Sequence, residues 1–584
     1  MQVSRRSTYT FLVIFYINLV FLSLYFFINY LSSDGINDAI LFHLRYGITG
    51  FGKNEYIFPF LILLLTNIIL LILVKQFITN INKESSVKLI SIIPFVILLT
   101  SILFNPFYKD IYNLFNERNT QKVIDENLFF EQDIFFNNNK KNVIFIYLEQ
   151  VERTYLNEDI FPGLTPNLKR LEKASMSFTN IHSPRATNWT IAGMAASQCG
   201  VPLLTPVASQ NSMSGVDKFI PLARCLGDIL NDESYDLHYM GGSDLDFAGK
   251  GNFYKTHGFG SVEGWHELKN VINDKDYRSP WGIYDDELLN LISRRITKLS
   301  KQEKHFGLFS LTLDTHHPNG YISASCKNKK YHDGSNLILN SLHCIDQLIG
   351  KFMDEYLSSD IYKNTTLVLL SDHLALKNTA SDILEQGDRK NLFMIFDESI
   401  KPQLINKIGN VFDIGPTVIS VMGSNIMGLG LGRNLIFNES LSNGYDIDEI
   451  ISLNKRKILN LWSFPKIHSG FNISEIDAKI FFGDRFVKYP ALLVLDTNNE
   501  IDQIMFDFYN ANPLKNKAAR LDEDINYLWI DKCLKISEYK NIKPNYDSND
   551  FCLLLDDKKN MKYDLISLDS KEINSKFIKK YFHD

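Results

Sequence analysis

Two distant segments of this chain end in residue types that bind metals: Glu149 follows the apolar run Val143-Ile-Phe-Ile-Tyr-Leu148, and Asp372-His373 follow Leu367-Val-Leu-Leu370 and Ser371. Carboxylate and imidazole donors together suit one divalent cation, which neutralises a phosphate and lowers the pKa of a hydroxyl bound beside it. A third segment, Ser183-Pro-Arg-Ala-Thr-Asn-Trp-Thr-Ile-Ala-Gly-Met-Ala-Ala-Ser-Gln-Cys-Gly-Val-Pro202, supplies such a hydroxyl. Its polar, proline-containing approach and the small-residue run Ile191 to Gln198 predict a loop entering a helix, with Thr190 at the N-cap or in the first turn. Free backbone N–H groups and the positive end of the helix dipole favour an anion there, either the alkoxide or a transferring phosphoryl group. Each segment alone has an ordinary structural reading: Glu149 as a helix cap, Asp372 and His373 as loop residues, Thr190 as an N-cap. Together they have the layout of an active site with Thr190 as activated nucleophile.

The elements that must position these residues are legible in the pattern. Continuous apolar runs bounded by polar residues predict strands buried on both faces of a parallel sheet, and an open α/β sheet places ligands outside the carboxyl ends of its strands. From Asn142 to about Asn438 strands and helices alternate. Helices are predicted near Thr165 to Ala174, Asp285 to Leu299 and Ser335 to Tyr356, and strands near Leu237 to Met240 and Phe306 to Leu313. That alternation predicts an α/β fold with helices on both faces of the sheet. Asp413-Ile-Gly-Pro-Thr-Val-Ile predicts a capped helix start with Pro416 in its first turn. Gly428-Leu-Gly-Leu-Gly432 has neither dinucleotide spacing nor a Walker lysine and is expected to be a flexible glycine loop.

Several long motifs in order are specific: Val143 to Tyr155, Phe161-Pro-Gly-Leu-Thr-Pro-Asn-Leu168, Trp189-Thr-Ile-Ala-Gly-Met-Ala-Ala-Ser-Gln-Cys-Gly200, Leu313-Asp-Thr-His-His-Pro318 and Ser371-Asp-His-Leu374. From about Gly35 to about Pro490 the chain resembles the phosphoglycerol transferase I family of the alkaline phosphatase and sulfatase superfamily, whose relatives include lipoteichoic acid synthases and phosphoethanolamine transferases. The resemblance implies a parallel sheet of alkaline phosphatase type. It also implies transfer of phosphoglycerol from phosphatidylglycerol to periplasmic glucans through a covalent threonine intermediate. It makes Glu149, Asp372 and His373 metal ligands, and Thr190 both ligand and nucleophile. His316 would meet the substrate phosphate or leaving group, with His317 and Lys250 as further substrate-binding residues. In related synthases a Trp and an Arg bind phosphate near Lys250; here Phe247-Ala-Gly-Lys250 keeps a cation and not the Trp. One ion is implied, with Mn²⁺ or Mg²⁺ favoured and Zn²⁺ the alternative. The same residues would serve the alternative function, a phosphoethanolamine transferase or another lipid-head-group phosphotransferase of the same superfamily. A sulfatase is disfavoured, because no C-x-P-S-R or S-x-P-S-R sequence is present to form its formylglycine.

Length and charge agree with a membrane-tethered enzyme. The chain has 584 residues and a net charge of −6, with no basic stripe for nucleic acid. Apolar stretches near Phe11 to Leu31, Tyr56 to Val74 and Leu89 to Phe107 predict three transmembrane helices. Arg5, Arg6, Lys75, Lys83 and Lys88 should face the cytoplasm, which puts the rest of the chain in the periplasm, anchored in a bacterial inner membrane by several spans. All six cysteines follow the last predicted span, and proximity pairs Cys199 with Cys225, Cys326 with Cys344, and Cys533 with Cys552. The expected organisation is a membrane domain over residues 1–108, an amphipathic connector near the membrane face over 109–141 and a sulfatase-like catalytic domain over 142–442. A small mixed module follows over 443–584, with Trp462 and Trp529 in its core.

Overall fold

The computed structural model describes residues 5–32, 35–46, 53–83, 93–116, 130, 134–137, 140–205, 218–462 and, with short interruptions, 471–583. Five helices come first: α1 (Arg5–Ser32), α2 (Asp38–Tyr46), α3 (Lys53–Lys83), α4 (Ile93–Leu103) and α5 (Pro106–Asn116). Among the described residues one segment, Thr10–Asn29 of α1, is long and apolar enough to cross a membrane, with mean hydropathy 2.5. The apolar segment Phe60–Gln76 of α3 is shorter. Of the expected third span the structure describes the 11-residue α4, which ends before Asn105, while residues 84–92 lie outside the described residues. A helix of that length rises about 16 Å, roughly half of a bilayer's hydrocarbon core. Large apolar side chains stand exposed along both long helices, among them Val13, Ile17 and Phe26 on α1 and Leu61, Leu65 and Leu73 on α3. Polar pairs join α1 to its neighbours: Asn67 Nδ2 donates to Ser23 Oγ at 3.1 Å and Asn105 Nδ2 to Asn18 Oδ1 at 2.9 Å. Such pairs between apolar helices hold one packing register.

Among the described residues the first nine strands of the catalytic part are β1 (Asn142–Leu148), β2 (Met176–Phe178), β3 (Ile181–His182), β4 (Asp236–Gly241), β5 (Ser261–Glu263), β6 (Phe306–Leu311), β7 (Thr365–Ser371), β8 (Phe393–Phe396) and β9 (Gln403–Ile405). All except β3 form one sheet in the order β5-β4-β6-β1-β7-β8-β2-β9. The expectation of a parallel sheet needs one correction, because β8 runs antiparallel to both β7 and β2. A parallel return needs a crossover long enough to carry the chain back along the sheet, usually a helix. Between β7 and β8 the named helix is the four-residue Ser381–Leu384, and Leu392 O already accepts from Ser371 N at 3.0 Å, so the chain re-enters from the end it left. The strands carrying the predicted site, β1 and β7, are neighbours in parallel register, with Leu148 opposite Ser371. Glu149 and Asp372 therefore leave the sheet side by side.

The described helices that flank this sheet include α6 (Pro166–Lys173), α7 (Thr190–Cys199), α8 (Leu226–Asp232), α9 (Lys250–Thr256), α10 (Trp265–Leu268), α11 (Asp285–Leu299) and α12 (Leu337–Leu357). Alternate residues of β1 divide between two cores, as the two-residue period of a strand requires. Ile144, Ile146 and Leu148 pack with Leu288 and Ile292 of α11 and Leu342 and Ile345 of α12. On the other face Phe145 stacks on Phe309 at 4.5 Å, and Tyr147 hydrogen-bonds Ser197 of α7 at 2.8 Å.

One expectation changes in the surrounding segments. Gly428–Leu429 and Gly432–Arg433 form a tight buried hairpin, not a flexible loop. A Cβ on Gly432 would lie 2.0 Å from the Phe412 carbonyl oxygen, and Gly430 has φ +57°, so glycine here permits close approach and a left-handed turn. In the connector Phe130 bridges to Gly430 and lies 4.4 Å under the Arg433 guanidinium, while Phe136 bridges to Ser424. These two aromatics pack on the catalytic part; Phe135 is exposed, and Phe129 lies outside the described residues.

The chain divides into two compact units, one of Met1–Thr205 with Arg224–Lys455 and one of Pro206–Ala223 with Arg456–Asp584. The second unit holds a four-stranded and a five-stranded sheet, with Trp462 and Trp529 both buried. Cys533 and Cys552 are joined there across 19 residues.

Candidate functional site

Three buried groups converge where β1 and β7 end. The Glu149 carboxylate, the Asp372 carboxylate and the His373 imidazole place one ligand atom each within 4.8 Å of one another, and each residue is 1% exposed. His373 Nε2 lies 3.3 Å from Asp372 Oδ2 and 3.8 Å from Glu149 Oε1. His373 Nδ1–H donates to the Leu374 carbonyl at 2.7 Å, which fixes the tautomer that turns an unprotonated Nε2 toward the carboxylates. Asp372 Oδ1 accepts from the backbone N–H of Gln150 and of His373, both at 2.8 Å, whereas the buried Oδ2 has no hydrogen-bond partner among the described residues. A buried carboxylate oxygen without a partner is costly, and a cation among these three atoms would satisfy it. The electrostatics say the same: burial, then the Asp372 charge, pushes Glu149 up to about 8, burial pushes Asp372 up to about 6, and burial lowers His373. The residues present thus fit a divalent ion with oxygen and nitrogen ligands.

Thr190 is the first residue of α7. The helix is capped by Trp189, whose side chain makes no capping bond, so the Thr190 hydroxyl is not spent as an N-cap; it is partly exposed and has no protein hydrogen bond among the described residues. One turn on, a Cβ at Gly193 would lie 1.7 Å from the Asp372 carbonyl oxygen and 3.2 Å from that of Thr187. Glycine at this position lets the nucleophile helix rest directly on the backbone of a ligand residue. Gly193→Ala should accordingly push α7 off Asp372, costing about 1–3 kcal/mol of stability by overpacking. Turnover should fall by about 100-fold, because a displacement near 1 Å at the reacting atoms has that effect; thermal melts and steady-state assays on the purified variant measure both.

Lys250, at the start of α9, is 2% exposed with Nζ 4.8 Å from the Phe247 ring centroid. Burial pushes it down to about 8, against the charges of Glu149, Asp372 and Asp244, which hold it up. His316 stacks on Trp281 with ring centroids 3.9 Å apart and on His317 at 4.5 Å. Its Nδ1–H donates to the His317 carbonyl at 2.8 Å, which leaves Nε2 as a proton acceptor. Burial, with His317, His373 and Lys250 adding to it, holds His316 well below the usual histidine range, and burial holds His317 near 3. Both imidazoles are neutral at pH 7 in the absence of an anion.

Several residues that the sequence reading passed over organise this site. Gln150, in a left-handed conformation at φ 56°, donates from Nε2 to Glu149 Oε1 and to His317 Nδ1, each at 3.0 Å, and accepts from Leu376 N. With its backbone N–H on Asp372 Oδ1, it ties Glu149, His317 and Asp372 together. Thr312 Oγ1 accepts from Glu149 N at 3.0 Å, and the Thr315 hydroxyl donates to the Glu149 carbonyl. Asp285 accepts from Leu313 N at 2.7 Å and Asp314 N at 2.9 Å, which anchors the loop carrying His316. Trp281 supplies the ring under His316, and no motif marked it. The Cys199–Cys225 disulfide fastens the far end of α7 to the N-cap of α8, and Cys326–Cys344 fastens α12.

Residues 141–424 match the family model described as Sulfatase, residues 1–123 that of the phosphoglycerol transferase I N-terminal domain, and residues 469–579 that of its middle domain. Phosphoglycerol transferase I of Salmonella choleraesuis strain SC-B67 is 34% identical over 516 residues, which cover 87% of this chain and 67% of that protein. The chain belongs to the phosphoglycerol transferase I family. Phosphoglycerol transferase I of Salmonella typhimurium strain LT2 is likewise 34% identical, with the same coverage. Membership in the phosphoglycerol transferase I family makes this chain an enzyme of the phosphotransferase class. Two solved structures are similar as well. A protein in the alkaline phosphatase superfamily from Vibrio parahaemolyticus has TM-score 0.43 and 16% identity, covering 79% of this chain and 91% of its own. The lipoteichoic acid synthase LtaP from Listeria monocytogenes has TM-score 0.41 and 17% identity, covering 56% and 81%.

Proposed function

We propose that this enzyme moves a glycerophosphoryl group from phosphatidylglycerol to a hydroxyl of a periplasmic glucan, through a phosphodiester formed on Thr190. The observation that carries the proposal is the convergence of buried Glu149, Asp372 and His373 beneath the helix that Thr190 opens, with the buried cation Lys250 in their field. Glu149, Asp372, His373 and the Thr190 hydroxyl would hold one Mn²⁺ or Mg²⁺, with Zn²⁺ the alternative; the ion would keep the carboxylates ionised and stabilise negative charge on phosphate and threonine oxygens. Lys250 and the free N–H groups at the start of α7 bind and orient the phosphate. In the first step the Thr190 hydroxyl gives its proton to water as Oγ1 forms a bond to phosphorus, and the phosphorus–oxygen bond to diacylglycerol breaks, with the leaving diacylglycerol oxygen taking up that proton through the same water. In the second, a glucan hydroxyl attacks phosphorus, its proton passes to His316 Nε2, and the threonine oxygen leaves. His317 accepts at Nδ1 from Gln150, which leaves its Nε2–H as a donor for substrate oxygen.

The same proposal includes the membrane topology: three spans over residues 1–108, a connector over 109–141, the catalytic domain over 142–442 exported to the periplasm, and the module over 443–584. Arg5, Arg6, Lys75, Lys83 and Lys88, the apolar surfaces of α1 and α3, and three disulfides beyond the last span support it.

A donor-lipid panel tests the reaction. Full-length enzyme in vesicles should release diacylglycerol from phosphatidylglycerol at least about tenfold faster than from phosphatidylethanolamine. The reverse preference would make the protein a phosphoethanolamine transferase acting with the same residues.

A further inference from the structure

A cavity of about 700 Å³ lies beside the candidate site, and the reaction steps above use none of its walls. It is bounded by Asn188 and Trp189, immediately before the nucleophile, and by Leu374 and Ala375, immediately after the last ligand. Its opposite wall comes from the segment that follows the first apolar helix, Ile36 to Ala39, which opens α2. That wall is fastened at both ends: Ile36 N donates to Asp110 Oδ2 at 2.9 Å, and Asp38 pairs with Arg185 at 3.3 Å. The volume falls in the roughly 300–1,000 Å³ range of sites for drug-sized ligands, more than a single glycerol unit fills.

The chemistry of the walls selects against an anion and for a neutral, hydroxyl-rich chain. Of the three cations in the lining, Lys377 is exposed to solvent, and the two arginines are already neutralised. Arg185 pairs with Asp38, and Arg389 pairs with the buried Glu152 at 2.5 Å and donates to the Ala375 carbonyl at 2.6 Å. Acidic side chains, Asp110, Glu385 and Asp448, add negative charge, so a phosphate gains little here by comparison with the neighbourhood of Lys250. What the walls offer is an aromatic ring and amide and hydroxyl groups that donate and accept. Trp189 is 7% exposed, its ring lies 6.0 Å from that of Phe42 of α2, and its Nε1–H has no acceptor among the described residues. A buried indole N–H without a partner is a donor waiting for a ligand oxygen. Asn188 adds a donor and an acceptor to the same lining, and Asn29, whose Oδ1 accepts from Gly35 N at 2.9 Å, adds its amide N–H groups.

We infer that this cavity is the acceptor subsite: a neutral carbohydrate chain binds between Trp189 and the α2 segment with one hydroxyl led toward Thr190. The assignment rests on the reading above that the second substrate is a sugar hydroxyl. It makes the membrane-proximal segment, from Ile36 to Phe42, part of the substrate site and not only a linker.

The test uses the full-length chain in detergent as the Thr190→Ala variant, which cannot turn over, with a neutral glucose oligosaccharide as probe and glycerol phosphate as the anionic comparison. Equilibrium dialysis should show the oligosaccharide bound. Adding Trp189→Phe, which keeps an aromatic ring and deletes the indole N–H, should weaken binding about tenfold. Asn188→Ala, at an exposed position that does not threaten folding, should weaken it severalfold. Oligosaccharide binding that neither substitution changes, or glycerol phosphate binding that both weaken, overturns the assignment. Mass spectrometry of Thr190-containing enzyme separates the two levels of the proposal. If phosphatidylglycerol leaves no adduct yet the oligosaccharide binds with Trp189 dependence, the donor reading fails and the cavity stands. If the adduct forms and discharges to the oligosaccharide with a KM that neither substitution alters, the cavity fails and the reaction stands.

Discussion

Thr190→Ala enzyme should retain most of its divalent metal and turn nothing over, whereas Asp372→Asn enzyme should lose both. Asp372 offers the ion a buried oxygen with no hydrogen-bond partner among the described residues, and its other oxygen is already committed to two backbone N–H groups. An amide in its place removes the charge and turns either a donor or a neutral oxygen into the cluster. Metal affinity should fall by more than the roughly 10–100-fold that losing an outer-shell partner costs. Thr190 contributes a neutral hydroxyl from the edge of the cluster, so its loss leaves Glu149, Asp372 and His373 in place but removes the atom that attacks phosphorus. Metal content by elemental analysis and turnover on phosphatidylglycerol vesicles report the two quantities separately. Near wild-type turnover by Thr190→Ala would end the covalent mechanism and turn attention to Thr187 and Ser183.

The metal should also show in the pH dependence of stability. In the metal-free protein Glu149 is pushed up to about 8 and Asp372 to about 6, so the folded state holds protons that the unfolded state has released. Stability falls with rising pH wherever the native state binds more protons. The Glu149 contribution therefore falls away from about pH 4.5 up to about pH 8 and is constant above. A bound cation favours the ionised carboxylates and removes that penalty, and protons compete with it less as pH rises. The gap in melting temperature between metal-loaded and chelated enzyme should thus widen from pH 6 to pH 8.

What the sequence displayed and what it concealed divide along sequence distance. β1 and β7 were legible because a strand buried on both faces has to be apolar at every position, and Glu149, Asp372 and His373 were legible because they interrupt that run where a sheet presents its ligands. The helix start at Thr190 was legible from the small-residue run that follows it. Gln150 was not. Its importance arises from bonds to Asp372, His317 and Leu376, all in segments that reach it only through folding. Nothing local sets a glutamine after a glutamate apart from any other loop residue. Trp281 and Asp285 are concealed for the same reason, since each acts on the loop of His316 from a separate segment. The reversed β8 was hidden because direction depends on the path of the connection, which an apolar tetrapeptide does not encode. The glycine run at Gly428 to Gly432 shows the converse error: composition suggests mobility, while the packing uses the missing side chains for contact with Phe412 and Gly200.

His316→Ala enzyme, given phosphatidylglycerol and no acceptor, should accumulate one glycerophosphoryl group on the peptide containing Thr190, with release of an equal amount of diacylglycerol. The reason lies in the protonation state of the imidazole. His316 donates from Nδ1 to a carbonyl and is held neutral by burial and by neighbouring His317, His373 and Lys250, so its Nε2 is equipped to take a proton and has none to give. A leaving diacylglycerol oxygen needs a donor; an attacking sugar hydroxyl needs an acceptor. The residue therefore serves the second step, and without it transfer to glucan should slow by about 10²–10⁴-fold while the first step persists. Because the free base is the active form and its pKa is depressed, transfer by the wild type should show no loss attributable to His316 as pH falls through 6.5. Added imidazole, entering the space the side chain leaves against Trp281, should restore part of the transfer rate and discharge the adduct. A His316→Ala enzyme that forms no adduct and releases no diacylglycerol would assign the imidazole to the first step. An adduct with the mass of ethanolamine phosphate would identify the other donor, and continued transfer with no adduct at all would mean that the acceptor attacks the lipid phosphate directly.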